Sequence, residues 1–412
     1  MATSVERTTS EEKITLGQQA DVAAAVCAAY EDKEPVYPVG GGTALNFGCA
    51  PSRAGQTLDL TNLSRVVDYT PRDMTILVEA GMRMADLAET LRAEGQQLPI
   101  DVPRAGEATI GGVVATNWNG PRRFGHGTIR DYVIGIHAVD GRGVAFKAGG
   151  RVVKNVAGYD FCKLLTGSLG TLGVITQLAL KVKPLPECSA VVVAECSNLS
   201  VADRALERLA LLESPPVAID LLVGAAWDDK SANRNRLVVR VEGTREEVDW
   251  LAERVQSELG ASKCGDARCI PESEANTLWD RQVEFSDRGA GNGSDKSPLV
   301  LQAAVPPSAV TGMIARLIAF DEGCTIQAHA ASGIIVARFA KFTQGDLTNV
   351  LIGKLGPAAV QLGGSCAVIK STLDGLTPHM IWGGRTDSVV LLERIKKKFD
   401  PRGILNPGRF VF

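Results

Sequence analysis

The chain has 412 residues, 45% of them hydrophobic and 22% charged, which is enough apolar material for two or three folded domains and excludes wholesale disorder. Its 44 lysines and arginines nearly balance its 47 aspartates and glutamates, and no long basic stripe is present, so nucleic acid is not an expected partner. No apolar run reaches the roughly 20 residues needed to span a bilayer. We therefore expect no transmembrane segment and a cytoplasmic protein, whose only membrane contact would be peripheral, at the inner face.

Nine cysteines are scattered along the chain without a Cys-x-x-Cys pair. That spacing argues against an iron–sulfur cluster or a zinc finger, since both need closely spaced thiolates. Free thiols in a reducing compartment are the expected state, and no metal site is predicted.

The first half of the chain alternates short strands with helices and glycine-rich turns. The alanine-rich residues 21–30 predict a helix, and 36–39 predict a strand that runs into three glycines. Residues 110–183 read as glycine-rich turns between strands, and Pro184 and Pro186 mark a domain boundary. The other predicted elements here are strands over 57–60, 75–79, 133–139, 144–148 and 172–182, and a helix over 84–94.

The second half has the rhythm of an α+β sandwich with an antiparallel sheet. Thr244 and Glu247 form a capping box for a helix that reaches residue 259. The polar, glycine-rich residues 287–297 predict a mobile loop rather than a binding loop. The remaining predictions are strands over 190–194, 218–223, 237–242, 299–305, 333–339 and 366–369, and helices over 202–213, 308–322, 345–355 and 386–399.

The glycine run that follows the first predicted strand is a candidate anion-binding loop. Residues without Cβ let several backbone amides turn toward one point, and the hydroxyl of Thr43 can add another donor for a diphosphate. The loop lacks the Lys-Ser/Thr of a nucleotide-triphosphate loop and the third glycine of the dinucleotide fingerprint. Taken alone, it is equally compatible with a tight turn between a strand and a helix.

Three further glycine-rich stretches follow in order. Residues 101–120 pair glycines with Thr109, Thr116 and Asn117, which could donate to phosphate or ribose. Residues 125–135 read GHGTIRDYVIG, and 154–176 contain both KNVAGYD and GSLGTLGVIT. Four such stretches in one chain indicate a binding site for a large phosphorylated cofactor.

These residues resemble the FAD-binding oxidoreductases of the vanillyl-alcohol oxidase and p-cresol methylhydroxylase type. Residues 101–186, with KNVAGYD and GSLGTLGVIT, look most like the FAD-binding subunit of bacterial glycolate oxidases, and 399–408 look like the family's closing motif. The resemblance implies an α+β fold, in which a two-subdomain FAD-binding domain of the p-cresol methylhydroxylase type (12–186) is followed by an α+β cap domain with an antiparallel sheet (187–385). A C-terminal segment (386–412) would return to the FAD domain.

The resemblance also implies the cofactor and its contacts. FAD is expected to be noncovalent, because the first glycine loop holds no His for attachment and the surroundings of His126 do not match an attachment motif. Ile175 would lie by the adenine, and Asn155, Gly158 and Asn406 would approach the isoalloxazine. The expected FAD-binding residues are Val39, Gly40, Gly41, Gly42, Thr43, Ala44, Pro103, Thr109, Ile110, Gly111, Gly112, Thr116, Asn117, Gly120, Asn155, Gly158, Ile175 and Asn406.

The activity implied by the resemblance is oxidation of glycolate to glyoxylate within a complex. A second flavin subunit and an iron–sulfur subunit would be the partners, because this chain has no cluster ligands of its own. Two alternatives stay open: a stand-alone FAD oxidase of another hydroxy acid or alcohol, and a noncatalytic FAD-bearing subunit for assembly or electron relay.

The catalytic candidates are His329, Arg385 and Tyr159. Hydroxy-acid dehydrogenases of the family carry a histidine-rich strand near the substrate, and the comparable residues 328–334 hold one His and no Asp. His329 could act as a general base, but we favour a His satisfied by hydrogen bonds on a half-buried strand, with little effect on turnover. Arg385 could pair with a substrate carboxylate or form a surface ion pair, and Tyr159 could donate to substrate or simply pack.

Overall fold

The computed structural model describes residues 13–150, 158–224, 227, 235–288, 297–339, 341–343, 345–373, 375–384 and 387–411. Two compact units account for the chain: the first comprises residues 1–119, 128–185 and 384–412, and the second comprises 120–127 and 186–383. Residues 289–296 of the predicted polar loop lie outside the described residues. Strands and helices are numbered below in chain order.

The first unit contains three sheets, of three, five and two strands, and their helices. Its strands are β1 (Lys13–Thr15), β2 (Val36–Val39), β3 (Gln56–Asp59), β4 (Val66–Thr70), β5 (Thr75–Glu79), β6 (Gln96–Gln97), β7 (Val133–Val139), β8 (Ala145–Gly149), β9 (Val174–Lys181) and β10 (Lys183–Pro184). Its helices are α1 (Gln19–Asp32), α2 (Met84–Arg92), α3 (Ile110–Thr116), α5 (Ile129–Tyr132), α6 (Phe161–Leu165) and α13 (Asp387–Phe399).

The three-stranded sheet of this unit is parallel, and the five-stranded sheet is antiparallel. Strands β1, β3 and β2 pair in parallel in that order, which places the end of β2 next to the end of β3. The larger sheet has the order β4-β5-β9-β7-β8, and all of its pairs are antiparallel. Apolar side chains of β5, β7 and β9 pack with those of α2 and α3 into one core.

The C-terminal segment is anchored in the first unit by backbone pairing and a buried ion pair. Val36 on β2 donates to the carbonyl of Ile404 at 2.8 Å and accepts from the amide of Asn406 at 3.0 Å. The ammonium of Lys396 lies 2.6 Å from the fully buried carboxylate of Asp400. That carboxylate also accepts from two backbone amides of the turn that follows, so it fixes the direction in which the chain re-enters the sheet.

The second unit is built on one antiparallel sheet of eight strands in the order β14-β11-β13-β12-β16-β17-β15-β18. These strands are β11 (Cys188–Cys196), β12 (Ala218–Val223), β13 (Asn235–Gly243), β14 (Gly265–Cys269), β15 (Leu299–Ala304), β16 (Thr325–His329), β17 (Ile334–Phe339) and β18 (Ser365–Ser371). The helices are α4 (Arg123–His126), α7 (Leu199–Leu209), α8 (Arg245–Ala261), α9 (Glu272–Arg288), α10 (Val310–Phe320), α11 (Gly356–Gln361) and α12 (Pro378–Trp382), and Leu347–Leu355 is a π-helix.

Directly paired side chains of neighbouring strands lie on the same face of a sheet. On one face of the central strands, several of these paired side chains are polar. Asp220 on β12 lies opposite His329 on β16, and Ala218 lies opposite Arg240 on β13. The alternate residues of the same strands, such as Leu221 and Val239, are buried and apolar. Helix α9 lies against the polar face, and it brings hydrogen-bonding groups to it.

The α+β class and the antiparallel cap sheet predicted from the sequence are confirmed. Several helices were not predicted, two of them next to the sites described below. Residues 110–116 form α3 instead of a glycine-rich turn, and 272–288 form α9. The inclusion of residues 120–127 in the second unit was not predicted either.

Candidate functional site

The glycine loop after β2 presents backbone amides without acceptors. No amide of residues 40–44 donates a hydrogen bond to another residue in the described part of the chain. The hydroxyl of Thr43 likewise has no described partner, whereas the loop's carbonyl at Ala44 accepts from Phe47 at 3.0 Å. Half-buried amides without acceptors at the wall of a cleft are available to bind an anion.

The same glycines are also required by close packing. A Cβ on Gly40 would lie 2.1 Å from Oγ1 of Thr109, and a Cβ on Gly41 would lie 1.7 Å from the carbonyl oxygen of Glu107. Gly42 has a φ of 71°, in the left-handed region that favours glycine. The loop is therefore both a tight turn packed against residues 107–109 and a row of open amides, and the two sequence interpretations do not exclude one another.

Around this loop the first unit forms a cleft that gathers residues from distant parts of the chain. Its apolar wall includes Leu169, Val174 and Ile175, and its other walls come from the glycine loop and α3. Of the expected FAD-binding residues, those that line the cleft are Val39, Gly40, Gly41, Gly42, Thr43, Ala44, Thr109, Gly111, Gly112, Thr116, Ile175 and Asn406.

The polar groups of α3 are already used inside the chain. The amide of Gly111 donates to the carbonyl of Ala80 at 2.8 Å, and the amide of Gly112 donates to Oγ1 of Thr109 at 3.3 Å, which makes Thr109 the N-cap of the helix. The hydroxyl of Thr116 donates back to the carbonyl of Gly112 at 2.9 Å. Thr109 and Thr116 thus hold α3 in place beside the cleft, and their expected contacts with FAD stay a prediction.

The remaining expected FAD-binding residues that the structure describes do not line the cleft. Ile110 is fully buried in the core, Asn117 ends α3 in the left-handed conformation with a φ of 52°, and Gly158 is exposed. Pro103 is half-buried in the turn before α3. Gly120 belongs to the second unit, and Asn155 lies outside the described residues.

Two residues of the C-terminal segment complete the cleft. Asn406, with a φ of 43°, donates through Nδ2 to the carbonyl of Leu169 at 2.6 Å, so it holds the turn before β9 that contributes Leu169 to the apolar wall. Arg409 is buried and its guanidinium donates to the carbonyls of Leu45, Phe47 and Cys49. Arg409 was not predicted, because its contacts with these carbonyls arise only when the C-terminal segment folds back to the residues that follow the glycine loop.

In the second unit, His329 contacts a carboxylate. Nδ1 of His329 lies 2.9 Å from Oδ1 of Asp220, and both side chains are buried, with 8% and 1% of their surface exposed. The sequence interpretation found no acidic neighbour within residues 328–334. Asp220 is 109 positions earlier in the chain and becomes a neighbour only through the pairing of β12 with β16.

Asp220 has two further donors. Nε2 of Gln282 lies 2.7 Å from Oδ2 of Asp220, and Nε2 of Gln327 lies 2.9 Å from the same oxygen. Both glutamines are buried, and Gln282 comes from α9, the helix missing from the sequence prediction. A buried carboxylate that accepts three hydrogen bonds is satisfied as an anion.

Of the other two catalytic candidates, the structure describes only Tyr159, and it has no carboxylate partner like that of His329. Tyr159 is 86% exposed and stacks on Phe161 with ring centroids 6.3 Å apart, and it does not line the cleft. Arg385 lies outside the described residues.

A second carboxylate in this unit holds the inserted residues 120–127. Oε2 of Glu242 lies 3.0 Å from Nε2 of His126, and Oε1 lies 2.8 Å from Nε of Arg240. Burial alone would raise the pKa of Glu242, but the hydrogen bond from His126 and the positive charges of Arg122 and Arg240 outweigh it and lower the pKa to about 2. Glu242 is therefore an ionised anchor for α4 on β13.

Two kinds of feature are absent from the described residues. They contain no helix that is both long and apolar enough to cross a membrane. They also contain no group of three or more His, Cys, Asp or Glu side chains arranged to hold a metal ion.

Comparison with known families gives the class of the protein. Residues 13–149 match the FAD binding domain family, and residues 190–367 and 384–410 match the C-terminal domain of the FAD linked oxidases. The chain belongs to the FAD-linked oxidases, and its cofactor is FAD. The family indicated by KNVAGYD and GSLGTLGVIT is thereby confirmed. The open amides of residues 40–44 and the apolar wall of the cleft fit the diphosphate and the ring systems of that cofactor.

Several characterised proteins are similar over part or most of the chain. Glycolate oxidase subunit GlcD of Bacillus subtilis is 25% identical over 92% of this chain and 84% of its own length. The mitochondrial D-lactate dehydrogenase [cytochrome] of Arabidopsis thaliana is 28% identical over 92% of this chain and 70% of its own. Glycolate oxidase subunit GlcE of Escherichia coli is 36% identical, but over only 52% of this chain and 58% of its own.

Among solved structures, an alkyldihydroxyacetonephosphate synthase aligns with a TM-score of 0.68 over 96% of this chain and 76% of its own, at 16% sequence identity. At that identity, the similarity shows a shared fold.

Proposed function

We propose that this chain is the flavin subunit of an enzyme that oxidises a small 2-hydroxy acid, with glycolate as the leading substrate. The names of its relatives support this substrate class, since they are glycolate oxidase subunits and D-lactate dehydrogenases. The observation that carries the proposal is the buried pair of His329 and Asp220 in the C-terminal domain of an FAD-linked oxidase.

The residues that would hold FAD follow from the cleft. The amides of residues 40–44 would bind the diphosphate, Arg409 would support that loop and bring a positive charge to the wall, and Ile175 would contact a ring. When bound, FAD supplies the acceptor for the two electrons and the hydrogen that the substrate carbon loses.

His329 would take the proton of the substrate hydroxyl. Because an ionised Asp220 only accepts, the proton between the two residues belongs on Nδ1, which leaves a lone pair on Nε2. Nε2 has no hydrogen-bond partner among the described residues and is free to accept. The imidazolium that forms would be stabilised by Asp220, and general-base catalysis of this kind contributes about 10² to 10⁴ in rate.

The enzyme would work in a complex with a second flavin subunit and an iron–sulfur subunit. Two of the similar proteins are named as subunits of glycolate oxidase, and the chain lacks the closely spaced cysteines that a cluster needs. Electrons would therefore leave through a partner. Affinity purification of the tagged full chain from its native host, followed by mass spectrometry, would identify those partners, and recovery of the chain alone would contradict this part of the proposal.

A noncatalytic role in assembly or electron relay is the second candidate. It is favoured by the three donors on Asp220, because a buried carboxylate satisfied in that way is also a stable structural element. In that case His329 orders the sheet and does no chemistry.

Anaerobic mixing of the purified protein with substrate separates these functions. If the chain oxidises 2-hydroxy acids, glycolate or D-lactate will bleach its flavin, either in the lone chain or in the co-purified complex. A flavin that stays oxidised in both preparations, although dithionite reduces it, would reject the catalytic proposal and support the relay.

A further inference from the structure

The carboxylate of Asp220 accepts from three side chains that come from two different elements. His329 on β16 binds Oδ1, while Gln327 on the same strand and Gln282 on α9 both bind Oδ2. All four side chains are buried, with between 1% and 6% of the residue surface exposed. No lysine or arginine contacts this carboxylate among the described residues, so neutral amides stabilise its charge.

The orientation of both amides is forced. An ionised carboxylate has no proton to give, so each glutamine must turn its NH₂ group toward Asp220. The carbonyl oxygen of Gln282 therefore points away, and it is buried without a hydrogen-bond partner among the described residues. The unsatisfied carbonyl of Gln282 costs free energy, whereas the NH₂ group of the same amide stabilises the ionised form of Asp220.

We propose that Gln282 and Gln327 are positioning residues that keep Asp220 ionised and thereby hold His329 in the tautomer with its proton on Nδ1 and a lone pair on Nε2. The use of that lone pair as a catalytic base rests on the proposed function. The tautomer itself does not.

The alternative state of the cluster explains why the amides matter. If one amide is removed, Oδ2 of Asp220 keeps only one of its two donors, and proton uptake by the carboxyl relieves a buried charge that is then less well stabilised. A protonated Asp220 would donate to Nδ1 of His329, which moves the imidazole proton to Nε2. The lone pair would then face Asp220, and Nε2 could no longer accept a proton.

Nitrogen-15 NMR of the histidine rings tests this directly, because the chain has only four histidines. The full-length protein is labelled with ¹⁵N-histidine, and the His329 signals are assigned by their loss in His329→Gln. Spectra are recorded above the titration range of the rings for the parent, Gln282→Met and Gln327→Met. Methionine is close to glutamine in volume but donates no hydrogen bond. Gln302→Met is the matched control, since Gln302 is half-buried on the same sheet face and has no contact with Asp220.

We expect a protonated Nδ1 and an unprotonated Nε2 on His329 in the parent and in Gln302→Met. In Gln282→Met and Gln327→Met the tautomer ratio should move at least tenfold toward the form with its proton on Nε2. If either of these variants fails to fold, Gln282→Leu or Gln327→Leu, which also lacks a side-chain donor, gives the same test.

A parent spectrum with the proton on Nε2, or folded glutamine variants with the parental tautomer, would overturn the proposal. Kinetic measurements then distinguish the positioning role of the two glutamines from the proposed function. If His329 is the catalytic base, the two glutamine variants lower kcat with little change in KM. If the tautomer moves but no variant or parent oxidises a 2-hydroxy acid, positioning stands and the proposed function fails.

Discussion

Gly41 packs so closely on the carbonyl of Glu107 that a methyl group on its Cα would lie 1.7 Å from that oxygen. Backbone cannot yield at such a distance without moving the whole loop. The conformation that leaves the amides of residues 40–44 open thus depends on the absence of one side chain, and packing and cofactor binding are coupled at this position.

Gly41→Ala is expected to displace the glycine loop and to lower the FAD content of the purified protein. The overlap should also cost about 1 to 3 kcal/mol of stability, as overpacking usually does. Gly106→Ala is the control, because a Cβ there meets no atom within 4 Å. Flavin-to-protein absorbance ratios and melting curves measure both effects, and equal FAD content in the two variants would remove the glycine loop from the FAD site.

FAD should be released by acid, because the glycine loop from residue 40 to 48 holds neither a histidine nor a cysteine for covalent attachment. His126 is engaged by Glu242 at 3.0 Å. After precipitation with trichloroacetic acid, the supernatant should be yellow and the pellet colourless. A flavin that remains on a peptide through proteolysis and mass spectrometry would refute noncovalent binding.

Glu242→Gln should remove an acid-dependent part of the stability. The pKa of Glu242 in the folded protein is about 2, below its ordinary 4.5, so its ionised form contributes about 3 kcal/mol that is complete above pH 4.5 and lost as the pH falls toward 2. The variant leaves Arg122, Arg240 and His126 without their common partner. At pH 7 it should lose about 3 to 5 kcal/mol.

Urea titrations of the full chain between pH 3 and pH 7 measure this difference. Glu253→Gln, at an exposed position on α8, is the control and should follow the parent. A Glu242→Gln variant whose stability falls with acid as steeply as that of the parent would show that Glu242 is not the group responsible.

The thiols should differ sharply in reactivity. Burial raises the pKa of Cys162 to about 11 and those of Cys324 and Cys366 to about 12, so these thiols stay protonated near pH 8. Cys27 and Cys269 are exposed. Iodoacetamide should label the two exposed cysteines first, as read by peptide mass spectrometry, and the other three only after urea is added. Early labelling of Cys324 would contradict its buried position.

Much of the fold could be predicted because hydrophobic period and turn residues determine it locally. Strands such as 36–39, 75–79 and 218–223 were predicted with the bounds that the structure shows. Helix α3 was missed because two adjacent glycines disfavour a helix. Gly111 is required there by packing, since a Cβ would lie 2.7 Å from that of Ala80, and the capping Thr109 was the signal available in the sequence.

In the candidate site, too, local motifs were predicted and contacts between distant parts of the chain were not. The glycine loop is a local motif and was predicted. By contrast, Asp220 contacts His329 only because β12 pairs with β16, and Gln282 contacts Asp220 only because α9 lies there. Arg409 likewise reaches the glycine loop only because the C-terminal segment returns to β2. No residue spacing in the sequence indicates these contacts.

The catalytic role of His329 is tested most directly by the anaerobic rate at which glycolate reduces the bound flavin in parent and His329→Gln complexes, with His137→Gln as the control. General-base catalysis by His329 predicts a loss of at least about a hundredfold, with unchanged FAD content and partner binding, and a control near the parent. A His329→Gln rate within about threefold of the parent, or roughly 0.6 kcal/mol of barrier, would contradict the catalytic role and leave the His329–Asp220 pair as a structural element of the sheet.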